Sequence, residues 1–174
     1  MEIIDQLKAS SLTFKELQYL AGFNQTKRCR WVVYDELRNY KNLEHLMALG
    51  AAVILLEIER RDAPKVGHFV LILDHGSHYE HFDSYGISHD KELAIISEHH
   101  LTNFFKNSKK KIIENTTKLQ MFREDVNTCG RWCVARLLLR KIELQPFVKI
   151  FDHLRPQTPD EMVSVMTLLL QYDK

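Results

Sequence analysis

The chain has 174 residues, 45% hydrophobic and 27% charged, with a formal net charge of +1. That length and composition suit one domain, 1–174, large enough to bury a core, and the near-neutral balance selects no nucleic-acid partner globally. The chain has no apolar run of the roughly 18 residues that a membrane helix needs and no charged-then-apolar leader, and its three cysteines do not make a secreted disulfide framework, so an intracellular protein with reduced thiols is expected.

In chain order, Thr13 and Glu16 offer a capping box for a first helix through Leu20, with Gly22 as its stop. Residues 29–34 are β-prone, and 42–49 read as a helical stretch ended by Gly50. Two aliphatic runs, 52–58 and 66–74, flank a charged loop at 60–65, and a turn over 74–78 leads into a third strand at 79–84, giving a meander. A helix is predicted within 91–105 and a fourth strand within 111–119. Near the end, Thr158, Pro159 and Glu161 form a strong helix start, and Met162, Val165, Met166 and Leu169 share the face expected to join the core.

The stretch from Asp125 to Leu139 organises the rest. Polar turn residues precede Cys129-Gly130, and the run after them has only Arg131 and Arg136 as polar members. Asn127 or Thr128 is expected to cap a helix that starts at Cys129 and is buried on most sides. A thiol at such a tip feels the positive end of the helix dipole, which favours thiolate and nucleophilicity; Gly130 lets another backbone or a substrate approach without a Cβ in the way. A buried structural cysteine is the plainer alternative. Cys129 and Cys133 lie four apart, with His75, His78, His81, His99 and His100 elsewhere, but the C-x-x-C spacing of zinc sites is missing and no metal is expected.

What favours chemistry lies upstream. A turn centred on Gly76-Ser77 places His68 opposite Tyr85, with Asp83 two positions along on the same face, and such diagonal neighbours lie about 7–8 Å apart. Asp83 can then accept from one ring nitrogen of His68 and leave the other for a thiol. Carboxylate, imidazole and helix-tip thiol make an acyl-transfer triad.

The motifs Gly67-His68-Phe69, Phe82-Asp83-Ser84-Tyr85-Gly86, Gln120 and Thr128-Cys129-Gly130-Arg131-Trp132-Cys133 occur in the order found in adenain-type cysteine endopeptidases, the viral maturation proteases of the clan that includes the SUMO-specific proteases. The chain resembles that family over about a third of its length, and its compactness is also similar to proteases of virophages and DNA transposons. The resemblance implies His68 as general base, Asp83 as its orienting acid and Cys129 as nucleophile. It also implies that Gln120 donates to the oxyanion beside the Cys129 backbone N–H. Phe69, where the family often has Trp, and Gly130 are expected to meet substrate. Asp83 replaces adenain's glutamate, as in the SUMO-protease branch, and Gln120 sits further from the cysteine than is usual, which makes Asn127 the substitute donor.

The expected fold is α+β, a mainly antiparallel sheet packed against the helix that carries the nucleophile, with helices at both termini. By the resemblance, the expected function is a monomeric endopeptidase that cuts virion precursor proteins at small-residue or glycine motifs, in the host cytoplasm or virus factory and inside the virion. It requires no cofactor, and DNA or a peptide activator would act through Lys106, Lys109, Lys110 and Lys111. The competing readings are a protease that deconjugates SUMO or ubiquitin-like proteins, and a non-catalytic interaction domain of the same fold.

Overall fold

The computed structural model describes residues 2–58, 66–89, 99–152 and 157–172. Its helices are α1 (Glu2–Ala9), α2 (Phe14–Ala21), α3 (Phe23–Thr26), α4 (Leu43–Leu46), α5 (His100–Lys106), α6 (Cys129–Leu138), α7 (Leu144–Asp152) and α8 (Pro159–Tyr172). The strands are β1 (Arg30–Val33), β2 (Ala51–Ile58), β3 (Val66–Asp74), β4 (His78–Phe82) and β5 (Lys111–Glu114). Local signals act as expected: Thr13 and Glu16 close a capping box on α2, Asn42 Oδ1 accepts from the His45 N–H at 2.9 Å, and Gly50 ends the following turn at φ 91°.

The strands form one sheet in the order β1-β2-β3-β4-β5. The central pairings β2–β3 and β3–β4 are antiparallel, and β1 and β5 add parallel edges. Alternation along the strands splits the core into two layers. Phe69, Leu71 and Leu73 pack with Trp132, Val134 and Leu137 of α6, whereas Val70 and Ile72 pack with Tyr34, Leu37, Leu43 and Leu101 on the opposite side. The fold class is thus α+β, a sheet covered on both faces, with α6 buried against β3.

Both arginines of α6 are buried and paired. Arg136 makes a two-pronged ion pair with Glu80 of β4, Nε to Oε1 at 2.6 Å and Nη2 to Oε2 at 2.7 Å, and Arg131 donates to Thr167 Oγ1 of α8 at 2.9 Å. Removing one partner of such a buried pair leaves an uncompensated charge, typically costing about 3–5 kcal/mol, so Glu80–Arg136 fixes how α6 lies on the sheet.

Several expectations are corrected. The strand expected within 111–119 is present as β5, which pairs parallel to β4 and is short because the chain leaves the sheet at Asn115. Of the helix expected in 91–105, α5 is the described part; residues 91–98 and the loop 60–65 lie outside the described residues. Helix α7 was not expected, although Leu144, Phe147, Val148 and Phe151 recur at helical spacing and all are buried. On α8, Met162 and Met166 pack against the core as expected, but the fully buried positions are Asp160, Val163, Ser164 and Thr167, and Leu169 is 60% exposed. Asp160 and Thr167 turn inward because Thr128 and α6 present donors there: the Thr128 hydroxyl, Arg131 and Trp132.

Candidate active site

The hairpin pairs Leu71 with Phe82 and Asp74 with Tyr79, the register that a turn at Gly76-Ser77 requires. Beyond Phe82 the chain turns at once. The Gly86 N–H donates to Asp83 O at 3.1 Å, and the Tyr85 N–H donates to Asp83 Oδ1 at 2.5 Å. An acidic side chain that accepts a backbone N–H two residues on is locked in an Asx turn, which leaves Oδ2 of Asp83 for His68 Nε2 at 2.8 Å. Gly86 is left-handed at φ 69°, and a Cβ there would stand 2.7 Å from the Thr117 carbonyl carbon, so this turn needs glycine. Buried Asn115 secures the turn from the end of β5, its Nδ2 donating to Asp83 O at 2.6 Å and to Thr117 O at 3.0 Å.

With Nε2 given to Asp83, the other ring nitrogen of His68 is left to face Cys129, which lies near enough to influence the imidazole's protonation. Burial works against a charged imidazole, but the hydrogen bond to Asp83 and the neighbouring Asp83 and Cys129 groups outweigh it and raise the His68 pKa to about 10. At neutral pH the ring held by Asp83 therefore favours the imidazolium form. The Tyr85 ring lies on the His68 ring, centroids 4.8 Å apart and planes 24° apart. Burial, followed by the charges of Cys129, Asp83 and Asp160, raises the Tyr85 pKa to about 12, so its hydroxyl stays protonated. On its outer side Tyr85 meets Phe122 at 5.2 Å, a ring 75% exposed at the rim.

Cys129 is the first residue of α6 and keeps 9% of its surface open, against 1% for Cys133 one turn inside. Cys29 lies in the core, where burial pushes its thiol up to about 12. Neither expected cap serves α6. Thr128 stands at the cap position without capping, its hydroxyl donating instead to Asp160 Oδ1. Asn127 donates through its backbone N–H to Lys8 O at 2.6 Å and through Nδ2 to Ala9 O at 2.8 Å, closing the end of α1. The first-turn N–H groups of α6 are left without a side-chain acceptor of their own.

Gln120 is buried beside this tip. Its Oε1 accepts from Ser84 Oγ at 2.7 Å, and its Nε2 donates to Tyr85 Oη at 3.1 Å and Val126 O at 3.2 Å. Donation to an oxyanion would replace one of those two bonds. Phe69 and Gly130, expected at the substrate, both lie in the core. Phe69 is 6% exposed against the Phe14 ring, and a Cβ on Gly130 would stand 2.8 Å from a Leu17 methyl and 3.2 Å from the Phe69 ring. The missing Cβ thus serves the close packing of α2 and β3 on α6.

The lysine cluster is at the other end of the sheet. Lys111 pairs with His78 at the hairpin turn, five residues or about 16 Å along β4 from Asp83. Lys110 is committed to Asp74, at 2.7 and 2.9 Å, and covers the Tyr79 ring, whereas Lys106, Lys109 and Lys111 are exposed. Sequence reasoning named Tyr85 only as the residue opposite His68 and did not find Asn115 or Asp160 as parts of the site. Asn115 and Asp160 sit in ordinary turn and helix-start patterns, and their partners are distant in the chain.

No family model matches the chain. It is 30% identical over 152 residues to the uncharacterized protein V9 of Sputnik virophage, a match covering 79% of this chain and 85% of that protein. Its fold is similar to that in the crystal structure of the ASFV pS273R protease, with a TM-score of 0.50 and 13% identity, over 91% of this chain and 67% of that one. At that identity the likeness concerns the fold alone.

Proposed function

We propose, for a chain that belongs to the family of the Sputnik virophage protein V9, the activity of a cysteine endopeptidase. The observation that carries this reading is the 2.8 Å bond between His68 and Asp83, with the Cys129 thiol at a helix tip near the same imidazole. In the reaction, Cys129 Sγ attacks the scissile carbonyl carbon and the carbonyl oxygen takes up the negative charge. The N–H groups at the tip of α6, and Gln120 Nε2, are the donors that stabilise it. His68 gives its proton to the amine as the C–N bond breaks, leaving a thioester on Cys129. Water, deprotonated by His68, then attacks the thioester carbonyl; the C–S bond breaks, the acyl group leaves as the carboxylic acid, and the sulfur is left beside the protonated His68 ring for the next turnover. Asp83 holds the ring orientation and supports the imidazolium throughout.

The substrates in this reading are virion precursor proteins cut at small-residue or glycine motifs, with DNA or a peptide activator bound at Lys106, Lys109 and Lys111. The viral relative and the resemblance of the Phe82–Gly86 and Cys129–Cys133 motifs to adenain support it. Recognising a folded modifier instead needs about 800 Å² on each partner, and the chain has few residues outside the core fold to supply it. Purified protein assayed beside a SUMO or ubiquitin C-terminal fluorogenic conjugate and a library of peptides with small-x-Gly motifs is expected to turn over the peptides. Turnover of the conjugate alone would place the chain with the deconjugating proteases, and turnover of neither, with or without DNA, would favour the interaction domain.

A further inference from the structure

We propose that Asp160, in the first turn of α8, is a positioning residue for the reaction, fixing the nucleophile and the oxyanion-side wall of the cleft relative to each other; this rests on the cysteine-protease reading. Its carboxylate is 0% exposed and takes three hydrogen bonds from two separate segments. Oδ2 accepts from the backbone N–H of Met121, next to Gln120, at 2.9 Å. Oδ1 accepts from the hydroxyl of Thr128, the residue before Cys129, and from Trp132 Nε1 at 3.1 Å. One side chain from the C-terminal helix thus ties the Gln120 segment to the start and the first turn of α6.

The Thr128 bond has a second effect. A threonine before a helix ordinarily turns its hydroxyl oxygen onto first-turn N–H groups. Here Asp160 draws the hydroxyl away, and those N–H groups remain for a developing oxyanion. Charge alone would argue the other way. A buried carboxylate close to the site opposes negative charge on the Cys129 sulfur, so its contribution to the reaction is geometric.

The test is Asp160→Asn in the full chain. Asparagine keeps the shape but turns an amide toward a donor, so one of the two anchored segments must shift. Misplacement of about 1 Å costs on the order of 100-fold. The expected result is kcat lowered by roughly that factor with KM nearly unchanged. Thr128→Val, which deletes a single bond, should lower kcat by about 10-fold, the scale of one hydrogen bond to a charged group, and Thr128→Ser should restore it. The double variant should lose less than the product of the single losses, because both act through one contact. Wild-type kcat per folded molecule in Asp160→Asn, with only a lower Tm, would overturn the proposal. So would faster Cys129 alkylation together with undiminished turnover, the pattern of a purely electrostatic role. If Asp160→Asn does not fold, an unaltered kcat in Thr128→Val overturns it equally. A wild-type protein that cleaves no peptide refutes the protease reading instead, a result distinguishable from all of these.

Discussion

Cys129→Ala is expected to abolish peptide cleavage, whereas Cys133→Ala retains most of it. The two thiols are one helical turn apart, but Cys129 starts α6 beside His68 and Cys133 is 1% exposed within the core. Loss of the nucleophile in a protease of comparable logic costs about six decades in turnover, which puts the variant at background. Cys133→Ala removes one sulfur from a packed interior, so its cost appears in stability, read as a lower Tm, with kcat/KM of the folded fraction near wild type. The comparison is made with the small-x-Gly peptides under initial-rate conditions. Cleavage that survives in Cys129→Ala would require another nucleophile.

The second large effect belongs to Asp83. Asp83→Asn keeps the shape of the Asx turn but offers His68 an amide where it needs a carboxylate, and the imidazolium loses its main support. A serine-protease precedent loses about four decades; with a more acidic thiol as nucleophile, roughly one to three are expected. The pH profile changes as well. His68 is raised from its ordinary 6.5 to about 10, so it binds a proton in the folded state over a window where the unfolded chain does not. Its contribution to stability is complete below about 6.5 and fades as pH rises through about 10. Removing the Asp83 charge lowers the folded-state value. The alkaline limb of kcat/KM and the alkaline loss of stability should therefore both move to lower pH in Asp83→Asn. An unchanged profile at wild-type rate would mean that another carboxylate orients His68.

The parts of the site carried by short-range rules were legible in the sequence. A two-residue turn sets the register of β3 on β4, and parity then brings Asp83 toward His68 and lays Tyr85 on the ring. Cys129 as the first helical residue followed from polar turn residues before a nearly continuous apolar run. What the sequence concealed depends on partners far along the chain. Asn127 reads as a helix cap, but α1 brings two carbonyls to it from the N-terminus. Gly130 reads as an opening for substrate, yet Leu17 fills the space. Asp160 and Thr167 fall outside the face expected to join the core, because periodicity carries no information that α6 and Thr128 would present buried donors to them. Polar residues satisfied by tertiary contacts invert the usual inference from hydrophobic pattern to core face.

Iodoacetamide labelling at neutral pH, mapped by peptide mass, tests the central claim most directly, since it needs no knowledge of the natural substrate. Cys129 is predicted to be modified well before Cys133 and Cys29, and its rate should fall in a His68→Ala variant that removes the imidazolium beside it. Labelling of Cys133 or Cys29 first, or a Cys129 rate indifferent to His68→Ala, would contradict the assignment of Cys129 and His68 as a catalytic pair.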